Sequence, residues 1–252
     1  MPNQDRSTDS HRPSRRAPLL VRDVDGVRVL TLNRPDQRNA LDTGLLRSLL
    51  GALEHAARDE GVRALVLAAE GVAFCAGGDV KEFTGCADAV DLMTVRAALL
   101  AEVLLALREQ PQPVVAAVHG IALGGGAALA LAADLVVASP EAAFGFPEFS
   151  SSVVPSVVLP VLVDQVPPKL AFDLLTTGRR LDAEGALREG MVSRVCQPRG
   201  HLEEAIAVAT GWAAVPPEIA RETKRLVRNA RRSSLREAMD AGLAVTAATW
   251  RQ

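Results

Sequence analysis

Short runs of β-branched residues alternate with longer stretches of helical periodicity along most of this chain, and that order limits its fold more than any other feature. Residues 27–32 read Val-Arg-Val-Leu-Thr-Leu and stop at Asn33-Arg34-Pro35, the pattern of a strand followed by a turn. Leu41, Leu45, Leu46, Leu49, Leu50 and Leu53 then recur at helical spacing. Residues 62–68 form a second apolar run, ended by Glu70-Gly71. Leu92, Val95, Leu99, Leu100, Val103, Leu104 and Leu107 mark a long amphipathic helix closed by Pro111. Residues 114–118 give a third strand, a glycine-rich loop over 120–126 feeds a short helix through Ala133, and residues 135–138 give a fourth strand. Such alternation places the chain in the α/β class, with right-handed βαβ units around a parallel sheet. Beyond Pro155 the pattern becomes helical, with helices predicted over 168–177, 182–189, 202–213 and 217–229.

Composition narrows the range of partners. With 252 residues, 48% of them hydrophobic, there is ample material for a packed core. A net charge of −2 gives no general pull toward nucleic acid or anionic membranes. Aromatic residues make up 3% and Tyr is absent, so stacking on bases is poorly supplied. Neither a nucleic-acid nor a membrane partner is expected: the longest apolar stretch, 120–133, is too short and too glycine-rich to span a bilayer. Cys75, Cys86 and Cys196 are odd in number and lack metal-ligand spacing, which argues against a metal site or a disulfide framework and fits a reducing cytoplasm. The first twenty residues carry Pro2, Pro13 and Pro18 among polar residues and no signal-like apolar run. They read as a disordered leader over 1–20, before a core over 21–195 and a C-terminal helical region over 196–252.

Two segments concentrate the chemistry: Phe74-Cys75-Ala76-Gly77-Gly78-Asp79-Val80 and His119-Gly120-Ile121-Ala122-Leu123-Gly124-Gly125-Gly126. Each follows a strand. Glycine admits positive φ and close approach of a ligand to the main chain, while a helix start leaves N–H groups unpaired and partly positive. Two such loops can present converging donors. Neither is a nucleotide motif, because the second loop lacks the Gly-x-Gly-x-x-Gly spacing and no P-loop Lys-Ser/Thr follows.

These loops lie in order with Leu32-Asn33-Arg34-Pro35, Asn39-Ala40-Leu41, Phe144-Gly145-Phe146-Pro147-Glu148, Thr177-Gly178-Arg179-Arg180, Gly190-Met191-Val192 and Thr223-Lys224-Arg225-Leu226. Together they resemble the crotonase, or enoyl-CoA hydratase/isomerase, superfamily. The resemblance implies a crotonase (ClpP-like) ββα-superhelix core with a C-terminal helical region, assembled as a homotrimer or a dimer of trimers. It also implies that the N–H groups of Gly78 and Gly125 grip the oxygen of an acyl-CoA thioester while an enolate forms. Glu148 is implied as the catalytic carboxylate, and walls of Phe144, Phe146 and Phe149 would raise its pKa by desolvation. By the same likeness, Gln37, Arg38, Ala40, Ala76, Asp79, Val80, Lys81 and Gly124 would lie along CoA. No separate cofactor is needed, CoA being part of the substrate.

Departures from the family pattern shape the expected reaction. Hydratases of the family carry a second glutamate three residues after the middle glycine, where this chain has Ala128. A single carboxylate can still take a proton from Cα and return it at Cγ, so Δ3,Δ2-enoyl-CoA isomerisation is the preferred reading. Hydration of 2-trans-enoyl-CoA is the alternative, and a non-catalytic acyl-CoA-binding or assembly subunit is the second. Decarboxylation and thioester hydrolysis use the same oxyanion hole. Pro155-Ser156-Val157-Val158 stands in place of a glycine-rich stretch, which would reshape the acyl pocket, and the chain is expected to stop before the usual terminal helix. His119 reads as a structural hydrogen-bonder, Cys75 as a packing residue, and Asp79 and Asp134 as braces of element ends. The arginines and Lys224 between Arg221 and Arg236 read as a solvated face.

Overall fold

The computed structural model describes residues 16–82, 84 and 88–249. Cys86 and most of the expected leader lie outside the described residues. The order begins earlier than expected, however: β1 (Leu19–Val24) opens two residues inside the leader boundary. It pairs antiparallel with β2 (Val27–Leu32) through Asp25 and Gly26, both at positive φ (49° and 80°). An Asp-Gly pair of this kind is the tight turn that matches the twist of two antiparallel strands.

Asp42 caps α1 (Thr43–Arg58) by accepting from the Leu45 N–H at 2.7 Å. The chain continues through β3 (Ala64–Ala69), α2 (Ala89–Glu109), β4 (Val114–Val118), β5 (Ile121–Leu123), α3 (Gly125–Ala132), β6 (Leu135–Ala138) and β7 (Ala143–Gly145). Then come α4 (Leu159–Gln165), α5 (Pro168–Thr177), β8 (Leu181–Asp182), α6 (Ala183–Arg188), β9 (Arg194–Val195), α7 (His201–Ala213), α8 (Pro217–Ala230) and α9 (Leu235–Thr249). The last of these, a helix of 15 residues, lies beyond the helices expected from the sequence.

The main sheet runs β1-β2-β3-β4-β6-β9 and is parallel from β2 onward. Both of its faces are covered, and the two-residue period of the strands sorts side chains between them. Val27, Val29, Ala64, Val66, Ala68, Val115 and Ala117 meet the alanine edge of α7, formed by Ala205, Ala209 and Ala213. Leu30, Leu32, Leu65, Leu67, Ala116 and Val118 meet the leucines of α1 and the all-apolar α3. A second, three-stranded sheet runs β5-β7-β8. The expected loop over 120–126 therefore contains a strand, and β5 aligns parallel with β7 so that Leu123 faces Gly145. That register brings the second glycine segment beside the chain that leads into Glu148.

The basic C-terminal stretch is not wholly a solvated face. Lys224 is buried, with Nζ 2.8 Å from the Asp134 carboxylate, 3.2 Å from Gln112 O and 3.5 Å from Leu107 O. Asp134 also accepts from the Val114 N–H at 2.8 Å, so the pair ties α8 to the start of β4. Burial pulls the Lys224 pKa down, and Asp134 pushes it back up. Removing one partner of a largely buried pair strands the other, so Lys224→Ala is expected to cost about 2–3 kcal/mol of stability. Urea unfolding of the two proteins, compared at equal m-value, measures it.

Candidate active site

The first glycine segment is held on both sides. Cys75 donates to Ile121 O (3.0 Å) and accepts from Leu123 N (2.9 Å), which adds it to the edge of β5. On the other side Ala76 N donates to Arg38 O, Leu41 N to Gly77 O and Asp79 N to Leu41 O. In this arrangement Gly78 N–H points away from Leu41. Among the described residues neither Gly78 N–H nor Gly125 N–H is used in a bond to another protein group. Gly125 opens α3, where the first N–H groups have no partner within the helix.

Gly124 makes the turn that aims Gly125. Its φ of 52° and ψ of −119° are open to glycine and strained for other residues, and its N–H donates to Gly145 O at 2.8 Å. A methyl group built there would run into the Glu148 carboxylate. The acid and the turn that opens α3 thus touch.

Gly78, Gly124, Gly125 and Glu148 line one cavity of about 540 Å³, with Leu41, Met93, Leu100, Val153 and Val154 supplying apolar walls. Ala76 and Val80 line it as well. The other residues assigned to CoA by resemblance stand outside the lining. Gln37, Arg38 and Lys81 are solvent-exposed, whereas Ala40 is buried. Asp79 is buried too and accepts from Arg34 Nη2 (2.9 Å) and Lys81 N (3.1 Å). It braces the loop, as does Asn39, whose side-chain amide donates to Glu70 O and Ala73 O while its oxygen accepts from Arg34 N. Arg34 and Asn39 are therefore scaffolding of the site; the Asn-Arg-Pro and Asn-Ala-Leu motifs carry them in the sequence, but not their role.

Glu148 follows β7 and begins a tight turn in which its carbonyl accepts from Ser151 N and Val153 N. Its side chain is half-buried, and Oε2 is buried with no hydrogen-bond partner among the described residues. Burial raises its pKa above the ordinary carboxylate value of 4.5, and its own backbone N–H offsets part of that shift. The expected phenylalanine wall is not what desolvates it. Phe144 and Phe146 point into the core, since alternate residues of an extended chain share a face, and Phe149 is 57% exposed. The groups beside Glu148 in the lining are Pro147, Val153 and Val154. Ala128 lies one turn into α3, is fully buried, and does not line the cavity.

The remaining candidates are structural. His119 Nε2 is 2.9 Å from Gly71 O, and its ring packs against His201 at 4.7 Å between centroids. Cys75 is fully buried, which pushes its thiol up to about 12 and removes it as a nucleophile at neutral pH. One charged cavity residue escaped the sequence reading: Arg96 of α2 is half-buried in the lining. Its signal was present, because Leu92, Arg96 and Leu100 are spaced by four and a charge interrupts that stripe.

Two main-chain donors facing a half-buried carboxylate across an apolar cavity suit proton transfer next to a carbonyl whose oxygen gains charge. Comparison with known proteins agrees. Residues 22–252 match the family model described as enoyl-CoA hydratase/isomerase. The chain is 41% identical over 202 residues, 80% of each chain, to a Thermus thermophilus protein whose name includes enoyl-CoA hydratase. A crystal structure of enoyl-CoA hydratase from Mycobacterium smegmatis superposes with a TM-score of 0.86 at 35% identity, covering 92% of this chain and 90% of that one. The Bacillus anthracis enoyl-CoA hydratase gives 0.88 at 28% identity, covering 93% and 92%. The fold is that of crotonase, and the chain belongs to the enoyl-CoA hydratase/isomerase family.

Proposed function

We propose that this enzyme moves the double bond of an enoyl-CoA thioester from the 3 to the 2 position, with Glu148 carrying the proton. The carboxylate takes a proton from Cα, and the electron pair moves through the adjacent carbonyl onto the thioester oxygen, giving a dienolate conjugated with the existing double bond. Gly78 and Gly125 N–H groups donate to that oxygen, each contributing about 3 kcal/mol to the barrier reduction. The pair then returns, Cγ takes the proton from Glu148, and the double bond is left between Cα and Cβ. The observation that carries the reading is that Glu148 is the one carboxylate in the cavity lining among the described residues. With Ala128 in the core, no second carboxylate among the described residues lines the cavity to hold and deprotonate water.

Hydration of a 2-enoyl-CoA is the second reading, favoured by the hydratase names of the relatives. Offering 3-enoyl-CoA and 2-enoyl-CoA separately in deuterated water separates the two. Isomerisation is expected to be much faster than water addition, and efficient hydration with negligible isomerisation would overturn the preferred reading. Self-association into trimers is part of the proposal. Leu235, Met239 and Leu243 on one face of α9 are 74%, 61% and 67% exposed, an apolar stripe that a second copy would cover. Light scattering behind size exclusion is expected to give three times the chain mass, or six times for a dimer of trimers.

A further inference from the structure

We propose that a second cleft beside the catalytic cavity holds the far end of the acyl group, and that this end is a carboxylate on a chain of about ten carbons. This rests on the acyl-CoA reading above and adds to it the chemical class of the acyl group. The cleft encloses about 440 Å³ between α2, α4 and the end of α8. Leu104, Val157, Pro160 and Val161 give it apolar surface, and Arg108, Arg228, Arg231 and Arg232 give it charge. An apolar cleft ringed by cations suits a hydrocarbon chain that carries an anion.

The cleft adjoins the catalytic cavity. Ser156 and Val157 line both, and they belong to the Pro155-Ser156-Val157-Val158 segment that stands out in the sequence. Helix α2 passes the two cavities on one face, because Leu100, Leu104 and Arg108 are spaced by four. Leu100 lines the catalytic cavity, and a methyl built on Gly125 would stand 3.1 Å from its Cδ2, whereas Leu104 and Arg108 line the cleft. From Leu100 to Arg108 the helix rises about 12 Å, at 1.5 Å per residue. An extended chain of about ten carbons covers that distance, its bonds of about 1.5 Å being set in a zigzag.

Charge decides what ends the chain. Four arginines line the cleft against two carboxylates, Asp164 and Glu109, so positive charge is in excess by two among the described lining residues. Asp164 pairs with Arg108 through one oxygen and stands 3.7 Å from Arg231 through the other. Arg228 donates to Arg108 O at 2.8 Å, a carbonyl that carries no charge to offset its own. The surplus reaches beyond the cleft: burial is the chief cause of the lowered Lys224 pKa, and Arg228 and Arg108 add to it. The excess holds even with these bonds made, since each guanidinium has five N–H donors. A methyl-ended chain leaves such a field unanswered, whereas a carboxylate accepts charge-assisted bonds from it.

Calorimetry with saturated thioesters, which the enzyme cannot isomerise, tests the idea. Wild-type protein is expected to bind the mono-CoA thioester of decanedioic acid at least about 10-fold more tightly than decanoyl-CoA. Succinyl-CoA should show no such advantage over butyryl-CoA, because both chains end short of the cleft. Arg228→Gln combined with Arg232→Gln should bring the ten-carbon affinities together, and Arg232→Gln alone, at an exposed position, should narrow the gap in part. Equal affinity of the wild type for the two ten-carbon ligands would overturn the proposal. So would a carboxylate preference already present at four carbons, which would put the selecting cation in the catalytic cavity, or a ten-carbon preference unchanged in the double variant. Turnover of 3-decenoyl-CoA keeps the two readings apart. A ten-carbon carboxylate preference with no isomerisation contradicts the proposed reaction and leaves the selectivity standing; isomerisation without the preference does the reverse.

Discussion

Glu148→Gln is expected to lower turnover of an enoyl-CoA substrate by about 10²- to 10⁴-fold, the usual contribution of a positioned general base. Glutamine keeps the shape of the side chain and loses the ability to accept a proton, so KM should change far less than kcat. The raised pKa adds a signature. The deprotonated form is the base, so kcat/KM of the wild type is expected to fall with decreasing pH along a limb lying above the ordinary carboxylate value of 4.5. A limb at that ordinary value would contradict the desolvated position of the carboxyl.

The same shift makes a stability prediction of opposite sign. A carboxyl whose folded pKa exceeds its unfolded value contributes fully below the unfolded pKa, and that contribution is lost as pH rises through the folded pKa. At neutral pH the wild type therefore holds an ionised carboxylate where the fold disfavours it, with Oε2 buried and lacking a partner among the described residues. Glu148→Gln is expected to raise the thermal midpoint at pH 7 while lowering activity, and the gap should close near pH 4. Thermal scans at the two pH values check this.

Gly124→Ala is expected to be nearly as damaging to catalysis. Its backbone geometry is strained for a residue with a Cβ, and the added methyl would press on the Glu148 carboxylate. Relief requires the turn to rotate, which swings the Gly125 N–H, or the acid to retreat. Either displaces a catalytic group, and kcat/KM should fall about 10²- to 10³-fold, as for loss of one oxyanion donor. Stability should also fall, by about 1–3 kcal/mol for the backbone strain. Gly190→Ala is the control. Gly190 also has a positive φ (79°), but a methyl there meets nothing within 4 Å and the residue is absent from the cavity lining. It should lose stability and keep kcat/KM.

Much of this could be read from the residues themselves. Strands β2, β3, β4 and β6 and helices α1, α2, α5 and α7 carry regular patterns long enough to detect, and both glycine segments announce tight turns. What escaped detection did so for physical reasons. The strands of the small sheet are two or three residues long, below any useful window, and they exist because the flanking chain is held in place by tertiary packing. β1 was hidden by the polar composition before it, although the Asp25-Gly26 turn signals a hairpin. Lys224 turned inward because the Asp134 carboxylate and two carbonyls converge there, contributed by residues 90 to 117 positions away. Phe144 and Phe146 were assigned to the site by nearness in sequence, whereas strand alternation sends them to the core.

The parallel register of β5 and β7 has a further consequence for how such a protein can change over time. The groups proposed to face the substrate oxygen belong to the main chain, and no single substitution deletes a peptide N–H except one to proline. The proposed proton carrier is an ordinary side chain, mounted three residues beyond the strand position that anchors Gly124. Binding of the thioester and choice of reaction are thus encoded in separable parts. A lineage carrying this scaffold can exchange the acid, add a second one, or swap the cation on α2 by point mutation, and inherit the oxyanion grip unchanged at each step.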